Sequence, residues 1–172
     1  MKEGRNMKGK GFGIMMTLAL LAAPMLAQAQ QKSAIELKSV AEVDVVEKNA
    51  LGEKEVKRTD VKEAKVVPGD TVIYTTRYVN RSDNTVNNLT ITNPVPEHMV
   101  YADKSAEGKG ARIDYSVDGG KTYAAPDKLS VRDETGKTRP AAAGDYTHIR
   151  WIITTPVAPG GTGSVSFRAL LK

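Results

Sequence analysis

PGDTVIYTTRYVN, Pro68 to Asn80, is the stretch from which the fold is read. Pro68-Gly69-Asp70 spells a turn. Proline presets φ, glycine permits φ above zero, and aspartate can bond the backbone two residues on. The residues that follow alternate. Val72, Tyr74, Thr76 and Tyr78 fall on one face of a strand, and Ile73, Thr75, Arg77 and Val79 on the other. Asn80-Arg81-Ser82-Asp83-Asn84 is the next turn. Val86 to Thr92 reads as a second strand with Leu89 and Ile91 on one face, closed by Asn93-Pro94.

Upstream, Ile35 to Val40 and Val43 to Glu47 read as one broken strand. Asn49-Ala50-Leu51-Gly52 turns the chain, and Glu55 to Val61 returns as a hairpin partner; Val61 to Val67 has room for a short helix. This region is rich in Lys and Glu, the pattern of a solvated edge strand whose lysines discourage aggregation. Downstream, Met99 to Ala102 is short and extended, and Lys104 to Gly110 is a loop. Ala111 to Val117 and Lys121 to Ala124 flank a tight Asp118-Gly119-Gly120 turn. Lys128 to Arg132 is a short strand, and Asp133 to Asp145 a polar loop. Tyr146 to Thr154 alternates most clearly, with Ile149, Trp151 and Ile153 inward. After Pro159-Gly160-Gly161, the last strand turns Val165, Phe167, Ala169 and Leu171 inward. Short alternating strands between turn signals indicate an all-β antiparallel sandwich.

PGDTVIYTTRYVNRSDNTVNNLTITNPVPEHMVY resembles the conserved repeat domain of bacterial envelope and surface proteins, also called domain of unknown function eleven. Pro68, Gly69, Asp70, Tyr74, Asn80, Pro96 and Tyr101 match its pattern, and Asn93 stands where the family usually has aspartate. IRWII and APGGTGSVSFRALL are similar to the family's closing strands, so the resemblance spans about residues 67–172. It implies an immunoglobulin-like β-sandwich of Greek-key type, with no shared catalytic residues. Residues 30–66 then supply an N-terminal strand and charged hairpin, and residues 30–172 form a single domain.

The first 29 residues read as a signal peptide. Lys2, Arg5, Lys8 and Lys10 precede an apolar run, Ile14 to Ala23, broken only by Thr17. Ala27-Gln28-Ala29 supplies the small residues of a cleavage site, and Met7 would serve as a start as well as Met1. A membrane anchor is the competing reading, but Ile14 to Ala27 is short for a span. Cleavage after Ala29 leaves 143 residues. Taking Lys2, Arg5, Lys8, Lys10 and Glu3 from the totals of 25 basic and 20 acidic residues leaves 21 and 19. The basicity of the whole chain is therefore mostly a targeting signal, which argues against dedicated nucleic-acid binding. The chain has no cysteine, which removes disulfides, thiol catalysis, cysteine metal sites and an N-terminal lipid anchor. SVSFRALLK carries neither a hydrophobic tail nor a sorting segment. The expectation is a soluble periplasmic or secreted protein, with no membrane span after cleavage.

Ser116-Val117-Asp118-Gly119-Gly120-Lys121-Thr122-Tyr123 fits the Asp-box, S-x-D-x-G-x-T-W, with tyrosine for tryptophan. It resembles the hairpin of sialidases and other β-propellers, which implies Ser116, Asp118, Gly120 and Thr122 as turn formers. One copy does not build a propeller, and one aspartate beside glycines gives too few oxygens for calcium. His98 and His148 are the only histidines, with Asp145 near His148 the sole suggestive metal pair. No serine sits in G-x-S-x-G. Gly160-Gly161-Thr162-Gly163 lacks the lysine of a phosphate loop. Trp151, Tyr74, Tyr78, Tyr101 and Phe167 alternate as core residues rather than as a binding groove. Asn88-Leu89-Thr90 matches a glycosylation acceptor inside a predicted strand.

These residues imply no catalytic or metal site and no cofactor. The first expectation is a non-enzymatic interaction or structural module of the bacterial envelope, binding protein or surface material through loops or a sheet edge. The alternative is a carbohydrate- or calcium-dependent binding protein using residues 116–123. An exported hydrolase comes third. The sequence names neither the partner nor the oligomeric state.

Overall fold

The computed structural model describes residues 34–172. The signal-peptide reading and residues 30–33 lie outside the described residues. β3 (Thr71–Asn80) is the strand the rest is laid against. β1 (Ile35–Lys48) pairs with it from Ile35 opposite Asn80 to Val43 opposite Val72. β11 (Thr162–Leu171) pairs on its other side, from Thr162 opposite Val79 to Leu170 opposite Thr71. β2 (Lys54–Asp60) and β5 (Met99–Tyr101) extend this sheet to the order β2-β1-β3-β11-β5, and the two residues of β6 (Glu107–Gly108) also pair with β11. β4 (Leu89–Pro94), β7 (Ala111–Ser116) and β10 (His148–Ile153) make the second sheet, in the order β4-β10-β7. β8 (Ser130–Arg132) and β9 (Thr138–Pro140) form a separate hairpin. Every pairing is antiparallel.

The two sheets bury their facing sides against one another, which makes the fold an all-β sandwich. The inward residues of β3 are those the alternation gives. Val72, Thr76, Tyr78 and Asn80 are buried, and Tyr74 is half-buried with its ring stacked on Phe167 at 4.9 Å. Ile73 is buried as well, although its parity is outward. Ile149, Trp151 and Ile153 come in from β10, Leu89 and Ile91 from β4, and Val165, Phe167 and Ala169 from β11. Trp151 is fully enclosed, its ring 6.2 Å from that of Phe167 across the inter-sheet space.

Several boundaries differ from the sequence expectation. β1 is one continuous strand, because β3 and then β2 pair across the break expected near Ala41. β4 starts at Leu89 rather than Val86, because Asn88 takes φ 52° and ends the extended backbone; Val86 only bridges Val157. Val61 to Val67 is no helix. Asp60 gathers this turn instead, its carbonyl accepting from Glu63 and Ala64 and its carboxylate from the Lys62 N–H. Lys121 to Ala124 does not return as a strand; only Tyr115 and Ala124 bridge. Inside the two expected loops, Glu107-Gly108 pairs with β11, and Thr138–Pro140 pairs with β8 around a turn tied by the Asp133 carboxylate.

Candidate functional site

The hairpin after β7 is tied by its own side chains. Gly119 and Gly120 follow Asp118 with φ 76° and 82°, a succession that side chains with a Cβ rarely adopt. A Cβ on Gly120 would also come within 3.0 Å of the Tyr123 hydroxyl and 3.2 Å of the His148 ring. The Ser116 hydroxyl donates to Asp118 Oδ1 at 2.7 Å and accepts the Gly120 N–H at 3.0 Å. Asp118 Oδ1 also accepts the N–H groups of Lys121 and Thr122, each at 3.0 Å, and Asp118 Oδ2 accepts the Thr122 hydroxyl at 2.6 Å. These bonds, that of the Thr122 hydroxyl foremost, hold the carboxyl well below the usual carboxylate range. Both oxygens of Asp118 are thus engaged inside the turn, as the Asp-box resemblance implies for Ser116, Asp118 and Thr122. The Thr122 N–H spent on Asp118 is the one a strand returning beyond the Tyr115–Ala124 bridge would have given to Val117.

The turn lays Tyr123 on the outer face of the second sheet. There the Arg150 guanidinium carbon sits 4.2 Å from the centre of the Tyr123 ring. The β7–β10 register sets Arg150 opposite Asp114 and Arg112 opposite Ile152. Asp114 is buried, and its Oδ2 accepts one N–H from Arg112 and one from Arg150, both at 3.2 Å. His148 shares this face and faces away from the core, as its parity requires; its Nδ1 lies 3.2 Å from the Thr147 hydroxyl. Asp145 is not its partner. Arg139 takes that carboxylate with two bonds, at 2.6 and 2.8 Å, and the Ala142 N–H adds a third, so the one suggestive metal pair is not brought together.

The residues carrying the family resemblance are ties of the fold. Asp70 accepts the Val67 N–H at 2.8 Å, so its bond runs back three residues rather than forward two. Gly69 and Asp70 exchange backbone bonds with Leu171, fastening this turn to the end of β11. Asn80 is fully buried. Its amide donates to the carbonyls of Asn84 and Val157, and its oxygen accepts the N–H and hydroxyl of Ser82. Asn93 donates to the Thr76 hydroxyl at 2.9 Å, which in turn bonds Ser39, linking the two sheets. Pro96 stands at the rim of an apolar hollow of about 190 Å³ beside Tyr74, Thr76 and Phe167. Tyr101, Tyr115 and Tyr146 form an aromatic group in which the Tyr101 and Tyr115 hydroxyls meet at 3.0 Å. Sequence reasoning left out Tyr115 and Tyr146, although Tyr115 shares its parity with Ile113. A larger, open concavity of about 520 Å³ lies between Tyr78, Gly163, Glu107 and Thr155.

Among the described residues, no three His, Asp or Glu side chains gather as metal ligands, and no helix is long and apolar enough to cross a membrane. No family model matches the chain, and no curated protein and no solved structure matches it.

Proposed function

We propose that this protein is an exported, non-enzymatic interaction module of a bacterial envelope that engages a protein partner along an open sheet edge. The observation that carries this reading is the ribbon made by β1 and β2. β3 accompanies β1 only to Val43, and residues 44–58 continue as two strands that, among the described residues, pair with each other alone. Val46 and Val56 face one another across the ribbon, 61% and 64% exposed, and Leu51 at its tip is 83% exposed. Among the described residues β2 has β1 as its single neighbour, which leaves a row of backbone donors and acceptors for an added strand. The basic, apolar and small-residue order ending at Ala29 supports export to the envelope. The resemblance of residues 67–172 to the conserved repeat domain supports the same setting.

The test is capture from the native envelope with the mature domain, residues 30–172, followed by binding measurements on the captured protein. A Val46→Ser, Leu51→Ser, Val56→Ser variant should keep the far-ultraviolet spectrum of the parent and lose the partner. Undiminished binding by that variant would sink the ribbon as the contact. Turnover of an envelope substrate would sink the non-enzymatic reading. N-terminal sequencing of the exported protein checks cleavage after Ala29.

A further inference from the structure

We propose that Arg112, Asp114 and Arg150, on the outer face of the three-stranded sheet, form a binding site for a single oxyanion. This goes beyond the partner-binding ribbon and involves none of its residues.

The argument begins with charge. β4, β7 and β10 carry two arginines, one histidine and a single acid, Asp114. Asp114 is 6% exposed and meets each arginine through only one long bond, both to the same oxygen. One carboxylate can occupy a whole guanidinium fork by itself. Shared in this way, it neutralises one arginine's worth of charge and leaves most guanidinium N–H groups of both without a carboxylate.

Arg150 is also held in place. The Tyr123 ring covers one face of its guanidinium, and Asp114 fixes one of its terminal nitrogens. Its Nε is enclosed and has no hydrogen-bond partner among the described residues. That N–H is closed to an incoming ligand, so an oxyanion meets Arg150 through its terminal nitrogens, on a side chain that is 28% exposed. Arg112, 64% exposed at its side chain, stands on the same face two residues from Asp114, and exposed Thr92 lies opposite Arg150 on β4. An oxyanion seated here would accept from the terminal N–H groups of Arg150 and from Arg112. The Asp-box turn takes part only by placing Tyr123.

The chemistry recognised is that of a phosphate, sulfate or carboxylate group, borne by a small anion or by an acidic polysaccharide. The test follows the arginine Nε–H signals by NMR while inorganic phosphate or glucuronate is added, with sodium chloride at matched ionic strength as control. The Arg150 signal should move and saturate with either oxyanion and stay still in chloride. Arg112→Gln, at an exposed side chain, should keep the backbone spectrum and weaken binding by about tenfold, the scale of one charge-assisted bond. Polygalacturonate binding more tightly per carboxylate than glucuronate would assign the group to a polymer; equal affinity would assign it to a free anion. The proposal is overturned if no oxyanion moves the Arg150 signal, if chloride moves it as far, or if Arg112→Gln binds as the parent does.

Discussion

The side-chain amide of Asn80 donates to the backbone carbonyl of Val157, 77 residues later, at 2.9 Å. The same amide donates to Asn84, and its oxygen holds Ser82, so one buried side chain ties the turn after β3 to the chain entering β11.

Replacing Asn80 with alanine should therefore cost roughly 2–4 kcal/mol, because two carbonyls lose their donor where water cannot easily substitute. Urea denaturation with unchanged slope would establish it. A loss below about 0.5 kcal/mol would show that the turn holds without its tie.

Trp151 and His148 lie on the same strand with opposite facing. Trp151→Ala should cost about 3–5 kcal/mol, since the indole is fully enclosed. His148→Ala should cost little, since that ring rests against the hairpin and not in the core. Similar midpoints for the two variants would contradict the facing of β10.

Gly163 lies opposite Tyr78 in the β3–β11 ladder, and a Cβ on it would collide with the Tyr78 hydroxyl and ring. Gly163→Ala should destabilise by about 1–3 kcal/mol, the scale of overpacking. Combining it with Tyr78→Ala should leave less than the sum of the two losses, because one change removes what the other strikes. Additive losses would place the strain elsewhere.

The Asp118 carboxyl is held below its ordinary value by bonds within its turn. Its stabilising effect is therefore complete above the unfolded value near 3.8 and is lost as pH falls through the folded one. Acid titrations of the parent and of Asp118→Asn should diverge above that region and converge below it. Millimolar calcium should not raise the parent's melting temperature, since a ligand of the native state would do so by mass action. A calcium-dependent rise abolished by Asp118→Asn would make residues 116–123 a binding site.

Tyr115 behaves in the opposite sense. Burial, with the Tyr101 hydroxyl adding to it, pushes its phenol upward from the ordinary value of 10.0. The neutral phenol is favoured by folding, so this stability is present below about pH 10 and lost as pH rises toward the folded value. Tyr115→Phe should flatten the alkaline limb of the stability profile, read by denaturation alongside tyrosinate absorbance. An unchanged limb would remove Tyr115 as its cause.

The inward faces of β3, β10 and β11 were legible because period-two alternation is a local property, and Val72, Trp151 and Phe167 follow it directly. Ile73 departs from it. The turn at Asp118 was legible because its bonding partners lie within six residues. Less local features were not. β4 begins late because a single residue, Asn88, adopts positive φ. The return after Gly120 pairs only at Ala124, because Asp118 takes the Thr122 N–H that the next rung would have used. The charge cluster joins Asp114 to Arg150, 36 residues apart, through a register that no local pattern encodes.

The placement of β1 and β11 on the two sides of β3 has a mechanical consequence. β1 enters at the Asn80 end of β3, and β11 leaves at the Thr71 end. Tension applied between Ile35 and Leu171 therefore runs along the strands, not across them. It loads the ladder from Ile35 to Val43 and the ladder from Thr162 to Leu170 in shear, so their hydrogen bonds share the force rather than opening one after another. A domain strung this way between two attachment points resists extension, and β3 is the member through which the load passes.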